Sequence, residues 1–276
     1  MTEALIAEAA GILGVTVVRP LKQGGQKTVL LADEDGEHRV LKVISTGSLP
    51  DSLRRAQREV ELLQRVQHPN VVRVASSLIE LGEGRDGAAW LEEYLQGEDL
   101  GDLITEQWSW PSTKAMGLDV ARGLSALHEV KVVHRDLSAN NIRRLASGSH
   151  VVMDPGYARH ADRSELTVGG QPGTAGFLSP EHIQGYSGAP TPASDVFCVG
   201  ILMFLALTRA LPVPYTGDAG DYVARLARVE IESITQYRTD LPADAREIVS
   251  RCLHPQPARR YRNGGHLARA LEAASE

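Results

Sequence analysis

Residues 134–141 of the chain read HRDLSANN. This stretch places a guanidinium (Arg135), a carboxylate (Asp136) and an amide (Asn141) close together in the chain. A carboxylate can accept a proton from a hydroxyl, and carboxylate and amide oxygens are ligands that Mg²⁺ takes alongside phosphates. The stretch therefore predicts a loop suited to phosphate chemistry, and the fold around it has to present that loop.

The composition is that of a globular protein of moderate size. The chain has 276 residues, of which 42% are hydrophobic and 23% charged, so one bilobal unit with a buried core is expected. The net charge of −6 argues against a nucleic-acid partner, which needs clustered excess Lys and Arg. Cys198 and Cys252 show no metal-ligand spacing, which favours a reduced, cytoplasmic protein. No signal peptide and no membrane segment are expected in this chain.

Hydrophobic periodicity divides the chain into a β-rich part and a helical part. The expected elements of the first part are a helix at 2–14, strands within 15–44, a helix at 51–67 and strand-like runs at 71–80 and 88–95. The sequence DEDG at 33–36 predicts a hairpin turn. The chain is expected to be mainly helical after about residue 100, apart from loops around 130–190, with the boundary between the two parts near 95–97.

Two charged residues in the first part occupy positions where a core residue is expected. The pleat of the strand puts Lys42 on the same face as Val40, and Glu59 lies on the apolar stripe of its helix, four residues before Leu63. A lone buried charge costs several kcal/mol, so each residue is the nearest candidate partner of the other. The alternative is a lysine that extends to solvent and a glutamate at the edge of the stripe.

The sequence VVMDPG at 151–156 raises a similar question. Asp154 ends an apolar strand, and the Pro-Gly pair after it turns the chain and exposes the carboxylate. An aspartate before such a turn often has only a conformational role. Together with Asp136 and Asn141, it also completes a set of oxygen ligands of the kind that Mg²⁺ takes.

Taken in order, these motifs resemble those of eukaryotic-like Ser/Thr protein kinases of the bacterial type, from about Val17 to Leu271. The resemblance implies the α+β, bilobal protein-kinase fold, with a single catalytic domain over residues 1–276. A small, mainly β N-lobe of about 1–95 would hold the N-terminal helix and one main helix, and a larger helical C-lobe would take about 96–276. The implied activity is ATP-dependent phosphoryl transfer to Ser and Thr hydroxyls of proteins, including autophosphorylation in the activation segment.

The resemblance implies a catalytic role for each unusual residue. Lys42, held by Glu59, orients the ATP phosphates. Asp136 accepts the proton of the substrate hydroxyl. Asn141 and Asp154 bind the metal ion, which is Mg²⁺ or Mn²⁺.

The same resemblance implies several supporting residues. In GTAGFLSPE at 173–181, Thr174 is expected to steady the catalytic aspartate. Asp195 is expected to brace the catalytic loop, and Arg260 to pair with Glu181. Arg135 implies regulation by phosphorylation.

Phosphorylation is expected between Asp154 and Glu181. Ser164 and Thr167 lie in that window, and a phosphate there would pair with Arg135 and order the segment. The alternative is an unmodified polar loop.

The nucleotide site is implied by two further motifs. KQGGQK at 22–27 corresponds to the glycine-rich loop, and EEYLQGEDL at 92–100 corresponds to the hinge beside adenine. The implied nucleotide-contacting residues are Gly24, Gly25, Lys27, Val29, Val40, Lys42, Glu93, Leu95 and Asp99. Only the middle glycine of the usual three is kept, which loosens the approach of the backbone to the phosphates.

Other departures from the pattern concern charge. Ser138 replaces a lysine beside the transferring phosphoryl group, and loss of such a group costs on the order of 10²–10³ in rate. Glu92 and Arg143 stand at adenine-pocket positions that are usually apolar, and a pair between them is one way to satisfy both charges. Pro155 replaces the phenylalanine of the usual DFG motif.

Three functions are consistent with these features. An active Ser/Thr kinase is the first, because every residue with a chemical role is present. The alternative is a pseudokinase-like nucleotide-binding module for signalling or scaffolding, which the altered glycine loop and Ser138 favour. The third is a small-molecule phosphotransferase, but such enzymes lack GTAGFLSPE and the supports at Asp195 and Arg260.

Overall fold

A computed structural model describes residues 3–23, 27–45, 50–84, 87–155, 176–183 and 190–276. Within these ranges the side chains of seven residues are not described: Lys22, Gln23, Pro50, Asp51, Ser52, Arg55 and Glu59. The described residues fall into two compact units. The described residues within 3–68 and 72–96 belong to the first unit, and residues 69–71, 97–155, 176–183 and 190–276 belong to the second.

The first unit contains a five-stranded antiparallel sheet and two helices. Its elements are α1 (Glu3–Leu13), β1 (Thr16–Gln23), β2 (Lys27–Glu34), β3 (Glu37–Ser45), α2 (Pro50–Leu63), β4 (Ile79–Leu81) and β5 (Gly87–Glu93). The strand order is β1-β2-β3-β5-β4. The predicted hairpin turn is confirmed, since Asp35 and Gly36 join β2 to β3 with φ angles of 52° and 87°.

The two faces of this sheet differ because alternate residues of a strand point to opposite sides. One face packs against α1 and forms the apolar core of the unit. The buried members of that core are Ala9, Val15, Leu30, Ala32, Leu41, Val43, Leu81, Ala89 and Leu91. The opposite face carries Lys42 and Val40, as the pleat predicts.

The strand expected at 71–80 is shorter than predicted. Only Ile79–Leu81 forms a regular strand, and Val74 makes an isolated bridge with Glu92. The backbone N–H of Arg73 donates to the carboxylate of Glu93 at 2.7 Å, and therefore not to a backbone carbonyl of a neighbouring strand. The ladder is therefore incomplete here: the carbonyl of Arg73 accepts from the N–H of Glu93 at 2.9 Å without the reciprocal backbone bond, and the N–H of Leu91 donates to the hydroxyl of Ser76 at 2.8 Å.

The second unit contains a small antiparallel sheet and most of the helices. Its elements are β6 (Gly97–Asp99), α3 (Leu100–Leu103), α4 (Trp110–Glu129), β7 (Ile142–Leu145), β8 (His150–Val152), α5 (Pro192–Thr208), α6 (Ala219–Ala227), α7 (Ala243–Cys252) and α8 (Gly264–Ala273). The strands lie in the order β6-β7-β8. Gly97 lets β6 approach β7 closely, because a Cβ there would lie 2.1 Å from the carbonyl oxygen of Arg144.

Helix α5 is the centre of the second unit. It packs against α4 and α7, and most of its residues are buried. A capping box between Thr191 and Ser194 begins the helix, and Arg209, at a φ of 63°, ends it. Among the described residues, no helix is both long and apolar enough to cross a membrane.

Candidate active site

The loop at 134–141 is held from the start of α5. Asp195, fully buried, accepts hydrogen bonds from the backbone N–H groups of His134 at 2.8 Å and Arg135 at 2.9 Å. These bonds hold Arg135 in a left-handed conformation, with a φ of 65°, that residues with a side chain rarely adopt. The predicted bracing role of Asp195 is therefore confirmed.

A buried histidine completes the environment of Asp195. Nδ1 of His128 accepts a hydrogen bond from the backbone N–H of Gly264 at 3.2 Å, so the proton of the neutral ring is on Nε2. Nε2 in turn donates to Asp195 at 2.9 Å. Burial raises the pKa of Asp195, but the hydrogen bond from His128 and the backbone N–H groups outweigh burial and hold that pKa below its ordinary value.

The ring of His134 connects the loop to the chain just before Asp154. Nδ1 of His134 accepts a hydrogen bond from the backbone N–H of Asp136 at 3.3 Å. Nε2 donates to the backbone carbonyl of Met153 at 2.9 Å. The histidine therefore sets the spacing between the two segments that carry the predicted acidic residues.

Asp136, Asn141 and Asp154 are brought together by these segments. The amide nitrogen Nδ2 of Asn141 donates to the backbone carbonyl of Asp136 at 2.7 Å, which leaves Oδ1 of Asn141 for a cation. The backbone carbonyl of Asn141 accepts from the N–H of Met153 at 2.8 Å, directly before Asp154. Asp154 is half-buried and has a φ of 52°.

This donor set fits a hard divalent cation bound together with phosphate oxygens. Asn141 and Asp154 supply oxygens only, and Mg²⁺ is commonly bound by one or two protein groups plus phosphates. The described residues contain no group of three or more His, Cys, Asp or Glu that would form an all-protein metal site. Two protein oxygens of this kind suit a divalent ion whose remaining ligands are phosphate oxygens or water.

Ser138 and Arg143, which depart from the usual kinase pattern, both have defined contacts in this unit. Ser138 is buried, and its backbone carbonyl accepts a hydrogen bond from the N–H of Asn141 at 3.1 Å, so it shapes the turn and supplies no charge. Arg143 donates to Asp99 at 2.7 Å, across the β6–β7 pair. Asp99, a predicted nucleotide contact, is thus the observed partner of Arg143.

In the first unit, Lys42 forms a buried ion pair with Glu92. The register of β3 and β5 sets Val40 opposite Glu92 and Lys42 opposite Trp90, so these four side chains share one face of the sheet. Nε1 of Trp90 donates to the other carboxylate oxygen of Glu92 at 2.9 Å. The two oxygens of this carboxylate therefore have different donors.

This ion pair was not among the predicted contacts. The sequence marks both Lys42 and Glu92 as charges in apolar strands but offers Glu59 and Arg143 as their partners. Glu59 lies in α2, and its side chain is outside the described part of the chain, so its contact with Lys42 stays a prediction. The apolar run around Glu92 was the available signal that it lies next to a buried cation.

The remaining nucleotide contacts are only partly described. Lys27 and Val29 lie on β2, and the register places them on the same sheet face as Lys42. The carboxylate of Glu93 accepts from the backbone N–H of Arg73, as described above, and Leu95 is half-buried after β5. The other residues predicted to act in nucleotide binding, catalysis or regulation lie outside the described residues: Gly24, Gly25, Ser164, Thr167 and Thr174.

The predicted pair of Glu181 and Arg260 is confirmed. The two side chains are buried and joined by hydrogen bonds of 2.7 and 3.1 Å. Arg260 also donates to the backbone carbonyls of Ala193 and Pro255. The residue that ends the 173–181 segment is thereby attached to the start of α5 and to the chain after α7.

Comparison with known proteins identifies the family. Residues 16–270 match the protein kinase domain family, and the chain belongs to this family. The chain is 33% identical over 262 residues to a serine/threonine-protein kinase, drp72, of Corynebacterium efficiens, covering 91% of this chain and 48% of that protein. It is 30% identical over 262 residues to PknA of Corynebacterium glutamicum, covering 91% of this chain and 54% of that protein.

The fold agrees with a solved kinase structure. The PknI kinase domain of Mycobacterium tuberculosis matches with a TM-score of 0.69 at 24% identity, over 94% of this chain and 95% of that chain. The predicted protein-kinase fold, with a β-rich N-lobe and a helical C-lobe, is confirmed. The chain spans about half the length of the curated relatives named above.

Proposed function

We propose that this domain transfers a phosphoryl group from ATP to Ser and Thr hydroxyls of proteins, including hydroxyls between Asp154 and Glu181 of its own chain. The observation that carries the proposal is the ordered catalytic loop. Asp195 holds the backbone of the loop, and Asn141 is hydrogen-bonded to the backbone of Asp136. The curated relatives are named serine/threonine-protein kinases, which supports the choice of acceptor.

Each residue has a defined task in this reaction. Asp136 aligns the acceptor hydroxyl and takes up its proton. Oδ1 of Asn141 and the carboxylate of Asp154 hold Mg²⁺, with Mn²⁺ as a substitute of similar ligand preference. The metal ion neutralises charge on the phosphates when it is bound. Lys42 orients the phosphates, and Thr174 steadies Asp136.

Because the reaction requires ATP, we propose that the domain acts in the cytoplasm. The two cysteines fit a reducing compartment, because Cys198 and Cys252 are both free and buried. Burial raises the pKa of both thiols well above their ordinary value, so neither is expected to react under these conditions.

Mass spectrometry of the purified protein tests the proposal. The protein is incubated with ATP and Mg²⁺ beside an Asp136→Ala variant, and phosphate is located on the chain and on a generic protein substrate. Phosphate on Ser or Thr in the unsubstituted protein only is the expected result. The variant should still bind nucleotide, because Asp136 acts on the hydroxyl.

The nucleotide-binding module is the main alternative outcome. Clear nucleotide binding with no phosphate on the chain or on the substrate would overturn the proposed transfer and favour a domain that signals through its conformation. Phosphate in both proteins would point to a contaminating kinase. Loss of nucleotide binding in the Asp136→Ala variant would contradict the assigned role of Asp136.

A further inference from the structure

The buried pair of Lys42 and Glu92 lies within a single sheet. β3 and β5 are hydrogen-bonded neighbours, and their register places the two side chains on one face. Lys42 is 3% exposed and Glu92 is 2% exposed, so solvent does not screen their interaction. The relative position of the two charges is therefore set by the backbone ladder.

The carboxylate of Glu92 is fully engaged in this arrangement. Oε2 accepts from Nζ of Lys42, and Oε1 accepts from Nε1 of Trp90 at 2.9 Å. If Lys42 moved away, a buried carboxylate would keep one neutral donor and no counter-charge, which is strongly unfavourable. We therefore expect the ion pair to persist when a nucleotide binds.

Persistence of the pair is compatible with phosphate binding. An ammonium group has three N–H donors in different directions, so Nζ can donate to Glu92 and to phosphate oxygens at the same time. The carboxylate then fixes the position of Nζ, and its negative charge favours the charged form of the lysine. Both effects are those that a protein kinase requires from the partner of this lysine.

We propose that Glu92 is a positioning residue for Lys42 in phosphoryl transfer, and that it takes over most of the role implied for Glu59. This inference rests on the proposed function. Glu59 belongs to helix α2, which is a separate element from the sheet, whereas Glu92 and Lys42 share one ladder. The pair of Lys42 and Glu92 is therefore set by strand register, whereas a pair of Lys42 with Glu59 would also depend on the position of α2.

Three matched substitutions test the proposal: Glu92→Gln, Glu59→Gln and Glu34→Gln. Glu34 is the control, because it pairs with Arg39 at 2.7 Å on neighbouring strands of the same sheet but is partly exposed. Glu92→Gln should lower kcat/KM for ATP by about tenfold or more, and Glu59→Gln by less than about threefold. Glu34→Gln should leave it unchanged. A large loss in Glu59→Gln with little change in Glu92→Gln overturns the proposal.

A double-substitution cycle separates positioning from general stabilisation. The dissociation constant for Mg-ATP is measured by calorimetry in the unsubstituted protein, Glu92→Gln, Lys42→Met and the double variant. If Glu92 acts through Lys42, then Glu92→Gln weakens binding in the unsubstituted protein and has no further effect when Lys42 is already methionine. Equal weakening in both backgrounds means a structural role and overturns the proposal.

Two further readouts keep the test decisive. If Glu92→Gln does not fold, the Glu59→Gln variant still decides, since retained activity supports the proposal and a loss of about a hundredfold overturns it. If the unsubstituted protein transfers no phosphoryl group, the proposed function fails. The calorimetric cycle then tests the positioning of Lys42 without any need for transfer.

Discussion

Arg260 donates two hydrogen bonds to the carboxylate of Glu181, at 2.7 and 3.1 Å, inside the second unit. The side chains are 0% and 3% exposed, respectively. Nε of Arg260 also donates to the backbone carbonyl of His254 at 2.6 Å, and the guanidinium lies over the ring of Phe197. A bidentate pair of this kind, with its other donors satisfied, fixes the end of the 173–181 segment to the core.

Loss of one partner of this pair should destabilise the fold. We expect Arg260→Met to lower the free energy of unfolding by about 3–5 kcal/mol, because Glu181 would keep a buried, uncompensated charge. Arg122→Met is the matched control, since Arg122 pairs with Glu272 at 2.8 Å while 46% exposed. That control should lose less than about 1 kcal/mol. Urea unfolding measures both values.

The double variant Glu181→Met with Arg260→Met extends this test. Replacing a buried ion pair by apolar side chains of similar volume is often neutral, so stability should recover most of the loss. A double variant that is less stable than Arg260→Met alone would show that the hydrogen bonds to Ala193 and Pro255, and not the uncompensated charge, cause the loss.

Asp195→Asn should destabilise the second unit in a pH-dependent way. The pKa of Asp195 in the folded protein lies below the ordinary value of 3.8. Its ionised form therefore stabilises the fold at pH values above 3.8, and this contribution is lost as the pH falls through the folded pKa. We expect the substitution to lower the free energy of unfolding by about 3 kcal/mol at neutral pH. This loss should become smaller as the pH falls below 3.8.

Urea unfolding between pH 3 and pH 7 measures this effect. Asp102→Asn is the control, because Asp102 is exposed on α3 and its substitution should change stability by less than about 0.5 kcal/mol. A difference between Asp195→Asn and the unsubstituted protein that stays constant with pH would contradict the role of the ionised carboxylate.

Asn141→Ala should slow phosphoryl transfer by weakening the proposed metal site. The substitution removes the Oδ1 atom and the hydrogen bond to the backbone of Asp136. We expect kcat to fall by about tenfold or more and the Mg²⁺ concentration for half-maximal rate to rise. Asn140→Ala, in the same turn, is the control and should keep the Mg²⁺ dependence. An unchanged Mg²⁺ dependence in Asn141→Ala would remove this residue from the metal site.

Ser138→Lys should raise the rate of transfer. The position usually carries a lysine beside the transferring group. A cation there stabilises charge in the transition state, so we expect kcat to rise by about tenfold or more. Ser138→Met is the control, since it adds a chain of similar length without charge. The kcat of the two variants is compared at saturating ATP. Equal rates would indicate that another cation already acts at this place.

Local sequence is sufficient to identify much of the fold and to propose several site residues. The DEDG turn, the braced loop at 134–141 and the pair of Glu181 with Arg260 follow from short motifs whose spacing is preserved in the structure. Asp136, Asn141 and Asp154 are recognisable because their residue types suit phosphate chemistry. The extent of the strand at 71–80 was predicted wrongly, because the side chains of Glu93 and Ser76 take backbone N–H groups of the strand pair there.

The partners of the buried charges depend on the folded register. Lys42 and Glu92 are 50 residues apart in the chain and meet because β3 and β5 pair with one particular offset. Arg143 meets Asp99 for the same reason, across β6 and β7. A shift of one residue in either pair would move these side chains to the opposite face. Residue type therefore shows that a buried charge needs a partner, and strand pairing selects which residue it is.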